Sequence, residues 1–115
     1  MGILRLSHAV VRVPDLELAH AYYCEVVGLV ETAAEPDRVY LKAWDEHQHH
    51  SLVLQSAPTY GLDCLGLKVE HASDLDDLQE RIEAAGIATE RLPAGDRRLG
   101  VGSGETCRFT APSGH

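Results

Sequence analysis

Leu62-Asp63-Cys64-Leu65-Gly66-Leu67-Lys68-Val69 decides the fold, because it begins again what Ile3-Leu4-Arg5-Leu6-Ser7-His8-Ala9-Val10-Val11-Arg12-Val13 began first. In the later stretch Leu65, Leu67 and Val69 alternate with Leu62, Cys64, Gly66 and Lys68. In the earlier one Ala9, Val11 and Val13 alternate with Leu6, His8, Val10 and Arg12. A period of two is that of a strand, here with one apolar face and one mixed face. Setting Val13 on Val69 puts His8 on Cys64 and Arg12 on Lys68. The segments behind the two strands are also alike. After the first, Pro14 and Asp15 punctuate, with Asp15 placed to cap a helix. Leu16, Ala19, Tyr23, Val26 and Val27 then recur at helical spacing up to Gly28. After the second, Ser73 with Asp76 three residues on resembles a capping box. Leu75, Leu78, Ile82 and Ala85 carry the helical stripe, and Gly86 closes it.

The strand pattern continues behind each helix. Strands are expected at 29–34, 38–44 and 51–56, and again at about 87–92 and 105–111, the last two split by the glycine-rich loop Ala94–Gly104. In this matching Tyr40 and Lys42 correspond to Arg108 and Thr110. The expected fold is therefore α+β, a single domain over 1–115 built of paired β-α-β-β-β modules. Module 1 covers about 3–56; module 2 covers about 62–115 and lacks its last strand. The closing Ala111-Pro112-Ser113-Gly114-His115 reads as a turn leading toward that strand.

Composition narrows the function classes. A formal net charge of −8 and a pI near 5.2 argue against nucleic acid or an anionic membrane as partner. No apolar run approaches the ~18–20 residues needed to cross a bilayer. The first residues enter a strand pattern at once, with no signal-peptide pattern. Cys24, Cys64 and Cys107 are odd in number and far apart, as reduced thiols of a cytoplasmic protein would be.

Four segments carry a more specific resemblance: Arg38-Val39-Tyr40-Leu41-Lys42-Ala43-Trp44, Ser51-Leu52-Val53-Leu54, Leu92-Pro93-Ala94-Gly95 and Ala111-Pro112-Ser113-Gly114-His115. In order and spacing they resemble the N-terminal domain of catechol 2,3-dioxygenases of the metapyrocatechase type. Those enzymes belong to the vicinal oxygen chelate superfamily, the glyoxalase/bleomycin resistance/dihydroxybiphenyl dioxygenase fold type. The resemblance runs from about Leu4 to the last residue. It implies a full-length enzyme of two such domains, with Fe(II) held only in the second by two His and one Glu. That facial set leaves positions open for a catecholate and dioxygen. The N-terminal domain would be a scaffold with subunit contacts, inactive alone and without cofactor, catalytic residue or metal ligand set of its own.

His8 is the one candidate metal ligand that the resemblance leaves. It falls where single-domain, metal-using members of the superfamily place their first ligand. Cys64 falls at the place of a second, usually His, and Val53 at the place of a third, a carboxylate or amide; the fourth lies on the strand the module lacks. His8 and Cys64 are expected on one concave surface with Arg12, Lys68 and Val53. His8 is read as a histidine on a partly open sheet face and Cys64 as a small buried hydrophobe. Glu46, His47, His49 and His50 read as a solvated hairpin tip able to pick up adventitious metal. The glycines around Asp96, Arg97 and Arg98 read as a connection, since they are followed by neither the Lys-Ser/Thr end nor the helix that a phosphate loop requires. Asp74, Asp76, Asp77, Glu80 and Glu83 read as the solvated face of the second helix.

Two other functions fit the same residues. One is a stand-alone binding protein of the glyoxalase/bleomycin resistance kind, in which two chains pair and Tyr40, Trp44 and Tyr60 line a cup for a small aromatic molecule. The other is a metalloenzyme whose site forms between chains, with His8 as one ligand. The expected partners are thus a homo-oligomer or a C-terminal catalytic domain.

Overall fold

The structure, a computed structural model, describes residues 3–46, 49–96 and 104–114. The elements run β1 (Ile3–Val13), α1 (Leu16–Ala21) with a π-helical continuation (Tyr22–Val27), β2 (Val30–Glu35), β3 (Arg38–Lys42), β4 (Leu52–Ser56), β5 (Gly61–Val69), α2 (Ser73–Ala84), β6 (Thr89–Leu92) and β7 (Thr106–Phe109). This is the α+β order of one β-α-β-β-β module followed by β-α-β-β. The chain forms two compact units, Leu6–Gly66 and Met1–Arg5 with Leu67–His115, so that β1 and β5 each contribute to both.

In the Leu6–Gly66 unit, β1 lies parallel to β4, with Ala9 opposite Leu52 and Val13 opposite Ser56. A parallel neighbour requires a crossover, and α1, β2 and β3 make it. β3 pairs antiparallel with both β4 and β2, and the register of β2 slips at a bulge between Glu31 and Ala33. The sheet order is β2-β3-β4-β1-β5. Alternation then sorts the side chains. Val13, Val39, Leu41 and Leu54 are buried on the helix side, against Val11, Leu16, Ala19, Tyr23 and Cys24. Val10, Tyr40 and Val53 are buried on the other side, with Ala33 and Cys64 packed against them. β3 therefore buries three consecutive residues, Val39, Tyr40 and Leu41, and both of its faces are core.

Both ends of the first helix are as expected. The Asp15 carboxylate accepts the Leu18 N–H at 3.0 Å, and Gly28 ends the π-helical turn at φ 94°. The widened turn sets the Tyr22 and Tyr23 rings 5.5 Å apart, edge to face.

In the other unit, β6 and β7 pair antiparallel, with Thr89 opposite Phe109 and Leu92 opposite Thr106. Both strands are shorter than expected. Arg91 joins the unit's elements, donating to Asp76 at 2.7 Å, Gln79 at 3.1 Å and Glu105 at 2.9 Å. The capping box does not form. Ala72 occupies the cap position in helical conformation, and Ser73 is already inside α2. No side chain caps the helix; the Asp74 carboxylate instead reaches back ahead of it to accept the His71 N–H at 2.9 Å, and Asp74 is 4% exposed. Asp74 thus leaves the solvated acidic face expected of it, and the hydrogen bond from the His71 N–H offsets part of the cost of burying its carboxylate. Gly86 stops the helix at φ 89°. Of the glycine-rich loop, residues 97–103, with Arg97 and Arg98, lie outside the described residues.

Candidate functional site

The mixed face of β1 carries His8, Val10 and Arg12 toward the side of the sheet away from α1. His8 lies over Gly66 of β5 and Arg12 over Gly61, so β5 runs opposite to β1. Neither glycine is incidental. A Cβ on Gly66 would collide with the His8 ring, and one on Gly61 with the Arg12 guanidinium. Gly66→Ala is accordingly expected to destabilise the chain by about 1–3 kcal/mol through overpacking; urea denaturation checks it, and an unchanged midpoint would contradict the contact.

His8, Cys64 and Val53 share that face as expected, and Arg12 projects from the same side of β1. Lys68 belongs to the other compact unit. What the sequence does not announce is the cover over this face. The segment after β3 folds back, held by the Ser51 N–H on the Leu41 carbonyl and the Ala9 N–H on the Ser51 carbonyl. It brings His50 over the sheet, where His50 is 7% exposed. The His50 ring stands 5.2 Å from that of His8 and 5.0 Å from that of Tyr40. His49 lies beside it, its ring 6.0 Å from Tyr40 and its Nδ1 2.9 Å from Nδ1 of His50. Such a contact needs one nitrogen protonated and the other bare, which holds while at least one of the rings is neutral. The Tyr40 hydroxyl, below the histidines, donates to Glu35 Oε1 at 3.0 Å.

The expectation of a solvated histidine tip is therefore corrected for His50, which is a core residue. His47 lies outside the described residues. Burial sets the electrostatics. It pushes the His8 imidazole below its ordinary value. It pushes His50 down to about 4, helped by the nearby His8, His49 and Arg38. Both rings are thus neutral at pH 7.

A metal does not fit these residues. Val53, at the place of a third ligand, is buried with Val10 and Tyr40 and has no donor atom. Cys64 packs against the same apolar cluster. The His8 ring makes a long hydrogen bond, 3.5 Å to Ser7 Oγ. Among the described residues no three His, Cys, Asp or Glu side chains are grouped so as to hold a metal ion. Nor do the three aromatics form a cup: Tyr40 is fully buried, whereas Trp44 and Tyr60 are 84% and 80% exposed.

Known proteins resemble the chain over its whole length. The family model described as the catechol 2,3-dioxygenase-like N-terminal domain matches residues 62–115. The metapyrocatechase of Pseudomonas sp. (strain CF600) is 40% identical over 115 residues, 99% of this chain and 36% of that protein. A manganese-dependent 2,3-dihydroxybiphenyl 1,2-dioxygenase from Geobacillus genomosp. 3 is 26% identical, over 98% of this chain and 35% of its own length. Among solved structures, the 2,3-dioxygenase LapB from Pseudomonas sp. KL28 superposes with a TM-score of 0.91 at 42% identity, covering all of this chain and 39% of the other. An extradiol ring-cleaving dioxygenase from B. fuscum gives 0.89 at 30% identity, over 97% of this chain and 30% of the other. The chain thus spans roughly a third of the length of these relatives. It belongs to the catechol 2,3-dioxygenase-like extradiol dioxygenases of the vicinal oxygen chelate superfamily, as the counterpart of their N-terminal domain.

Proposed function

We propose that this chain is the non-catalytic N-terminal domain of an Fe(II)-dependent extradiol dioxygenase that cleaves catechols in the cytoplasm. Residues 1–115 act as one domain of two modules, a scaffold for subunit contacts, and the metal and the chemistry lie in a second domain of a longer polypeptide. The observation that carries this reading is the packing of Val53 and Cys64 into an apolar cluster beside His8, where single-domain relatives of the superfamily would need ligands. Three features support the rest. The relatives are named as ring-cleaving dioxygenases, the manganese-dependent one among them. The chain covers 36% of the metapyrocatechase. Among the described residues, β5 ends the five-stranded sheet and β7 pairs with β6 alone, so each has an edge free for further strands.

Facial coordination of iron with room for a catecholate and dioxygen needs three protein ligands, which the described residues do not group together. The 115-residue chain, reconstituted anaerobically with ferrous iron and then given catechol and air, is expected to form no yellow ring-cleaved product. Joined to a second domain bearing two His and one Glu, it is expected to turn over. Sustained turnover by the short chain alone would overthrow the proposal, as would failure of the joined protein.

A further inference from the structure

Beside the end of β1 and the outer side of α1 lies a cleft of about 580 Å³, within the range of small-molecule sites. Leu18, Tyr22, Tyr23, Tyr60 and Leu62 line it, and the charged residues on its wall are Arg12 and Asp15. The Asp15 carboxylate is committed to the helix cap through the Leu18 N–H. Arg12 is committed to nothing: among the described residues its guanidinium has neither an ion pair nor a hydrogen bond, and its Nε is buried without a partner. This is not for want of acids, since the chain has 18 acidic residues against 10 basic ones. A part-buried cation left without an anion is costly, and orphaned polar atoms of this kind call for a ligand or a role. Gly61 lets the guanidinium lie where it does, because any Cβ there would meet it. The apolar rim is open as well, with Leu18 68% and Tyr22 52% exposed. Large apolar side chains grouped around a concavity mark binding surfaces more often than isolated ones do.

We propose that this cleft binds a small aromatic carboxylate, with its ring among Tyr22, Tyr23 and Tyr60 and its carboxylate on Arg12. A guanidinium fork matches a carboxylate in two parallel hydrogen bonds. Tyrosine rings supply flat apolar contact to the body of such a ligand. A monoanion fits better than a phosphate, because the wall offers one cation and carries the Asp15 charge beside it. The site is independent of the ring-cleaving reading and stands or falls without it.

Titration of the 115-residue chain with benzoate and with its neutral isostere benzamide tests this, read by calorimetry and by amide shifts in the ¹⁵N spectrum. Benzoate is expected to saturate and to bind at least about tenfold more tightly than benzamide, moving the amides of residues 60–62 and 18–23. In Arg12→Gln the two probes are expected to bind within about twofold of each other. Gly61→Ala, which keeps the arginine and evicts its guanidinium, is expected to do the same and serves if Arg12→Gln does not fold. Tyr60→Ala is expected to weaken both probes. Equal binding of the probes to the unaltered chain, absence of saturation with benzoate, or a preference for benzoate that survives both charge-site variants overturns the proposal.

Discussion

Tyr40→Ala is expected to remove about 3–5 kcal/mol of folding stability, the range for deleting a large buried ring. A domain of this size holds only ~5–15 kcal/mol in total, so the variant is expected to be partly unfolded at 37 °C. The reason lies in the position of the ring. Tyr40 is fully buried on a strand whose neighbours Val39 and Leu41 are core residues of the opposite face. Its removal opens a void beside Val10, Val53 and the His49–His50 pair, and a β-sheet pinned on both faces cannot close over it. Tyr40→Phe separates packing from polarity. It keeps the ring and loses the hydroxyl's bond to Glu35, whose exposed carboxylate can turn to water, so about 1 kcal/mol is expected. Urea denaturation of the three proteins measures both. Tyr40→Ala within about 1 kcal/mol of the parent would mean that this face is not packed as described.

Much of this architecture is legible in the sequence, for a local reason. Alternation in residues 3–13 and 62–69 sets faces without reference to any distant contact, and His8, Val10 and Arg12 fall on the expected side of β1. Asp15 and Gly28 are likewise local devices, and both act as read. The misreadings begin where tertiary contacts choose between local options. Ser73 and Asp76 have the spacing of a capping box, but the chain enters α2 one residue earlier and Asp74 turns back to accept the His71 N–H. The polar segment around His50 has no periodicity to betray burial, and only the fold-back onto β1 and β3 makes His50 core. One signal was available. A Ser-Leu-Val-Leu strand directly after His49-His50 draws its preceding residues toward the same sheet.

The candidate site was half legible. His8, Cys64 and Val53 do share a face, so the repeat put the right residues together. Their chemistry depends on what lies above them, and that is a histidine pair and a tyrosine rather than water or a metal. The cleft with Arg12 was not legible at all. Leu18 and Tyr22 stand one helical turn apart, the spacing of a packed stripe, and only the fold shows them on the outer side with Tyr60 across from them. The strand β1 therefore changes in kind along its length: around His8 its mixed face is filled by the protein's own side chains, and its end, with Val11, Arg12 and Val13, borders a cleft walled by α1.

The filled part of that face has a consequence for acid stability, and it rests on His50. In the unfolded chain its imidazole titrates near 6.5; in the folded chain burial, with His8, His49 and Arg38 nearby, pushes it down to about 4. Between those values the unfolded chain binds the proton and the folded chain does not, so stability falls as pH falls. The contribution is intact above about pH 6.5, declines through the window and is lost by about pH 4. Its size is on the order of 3 kcal/mol, since each tenfold difference in proton affinity between the two states is worth about 1.4 kcal/mol. Burial lowers the proton affinity of His8 too, which adds to the decline. Geometry explains why the proton is refused. A charged His50 would face the His8 ring at 5.2 Å, and its Nδ1 could no longer accept in the 2.9 Å contact with His49. Carboxylates also titrate toward pH 4, so the comparison must be with His50→Gln, which cannot take up the proton but keeps the acidic residues. Thermal or urea unfolding from pH 7 to pH 4 is expected to show the parent ahead at pH 7 and its advantage gone or reversed at pH 4. Parallel curves over that range would mean that His50 takes a proton as freely in the folded chain as in the unfolded one, and so is not buried against His8 and Tyr40.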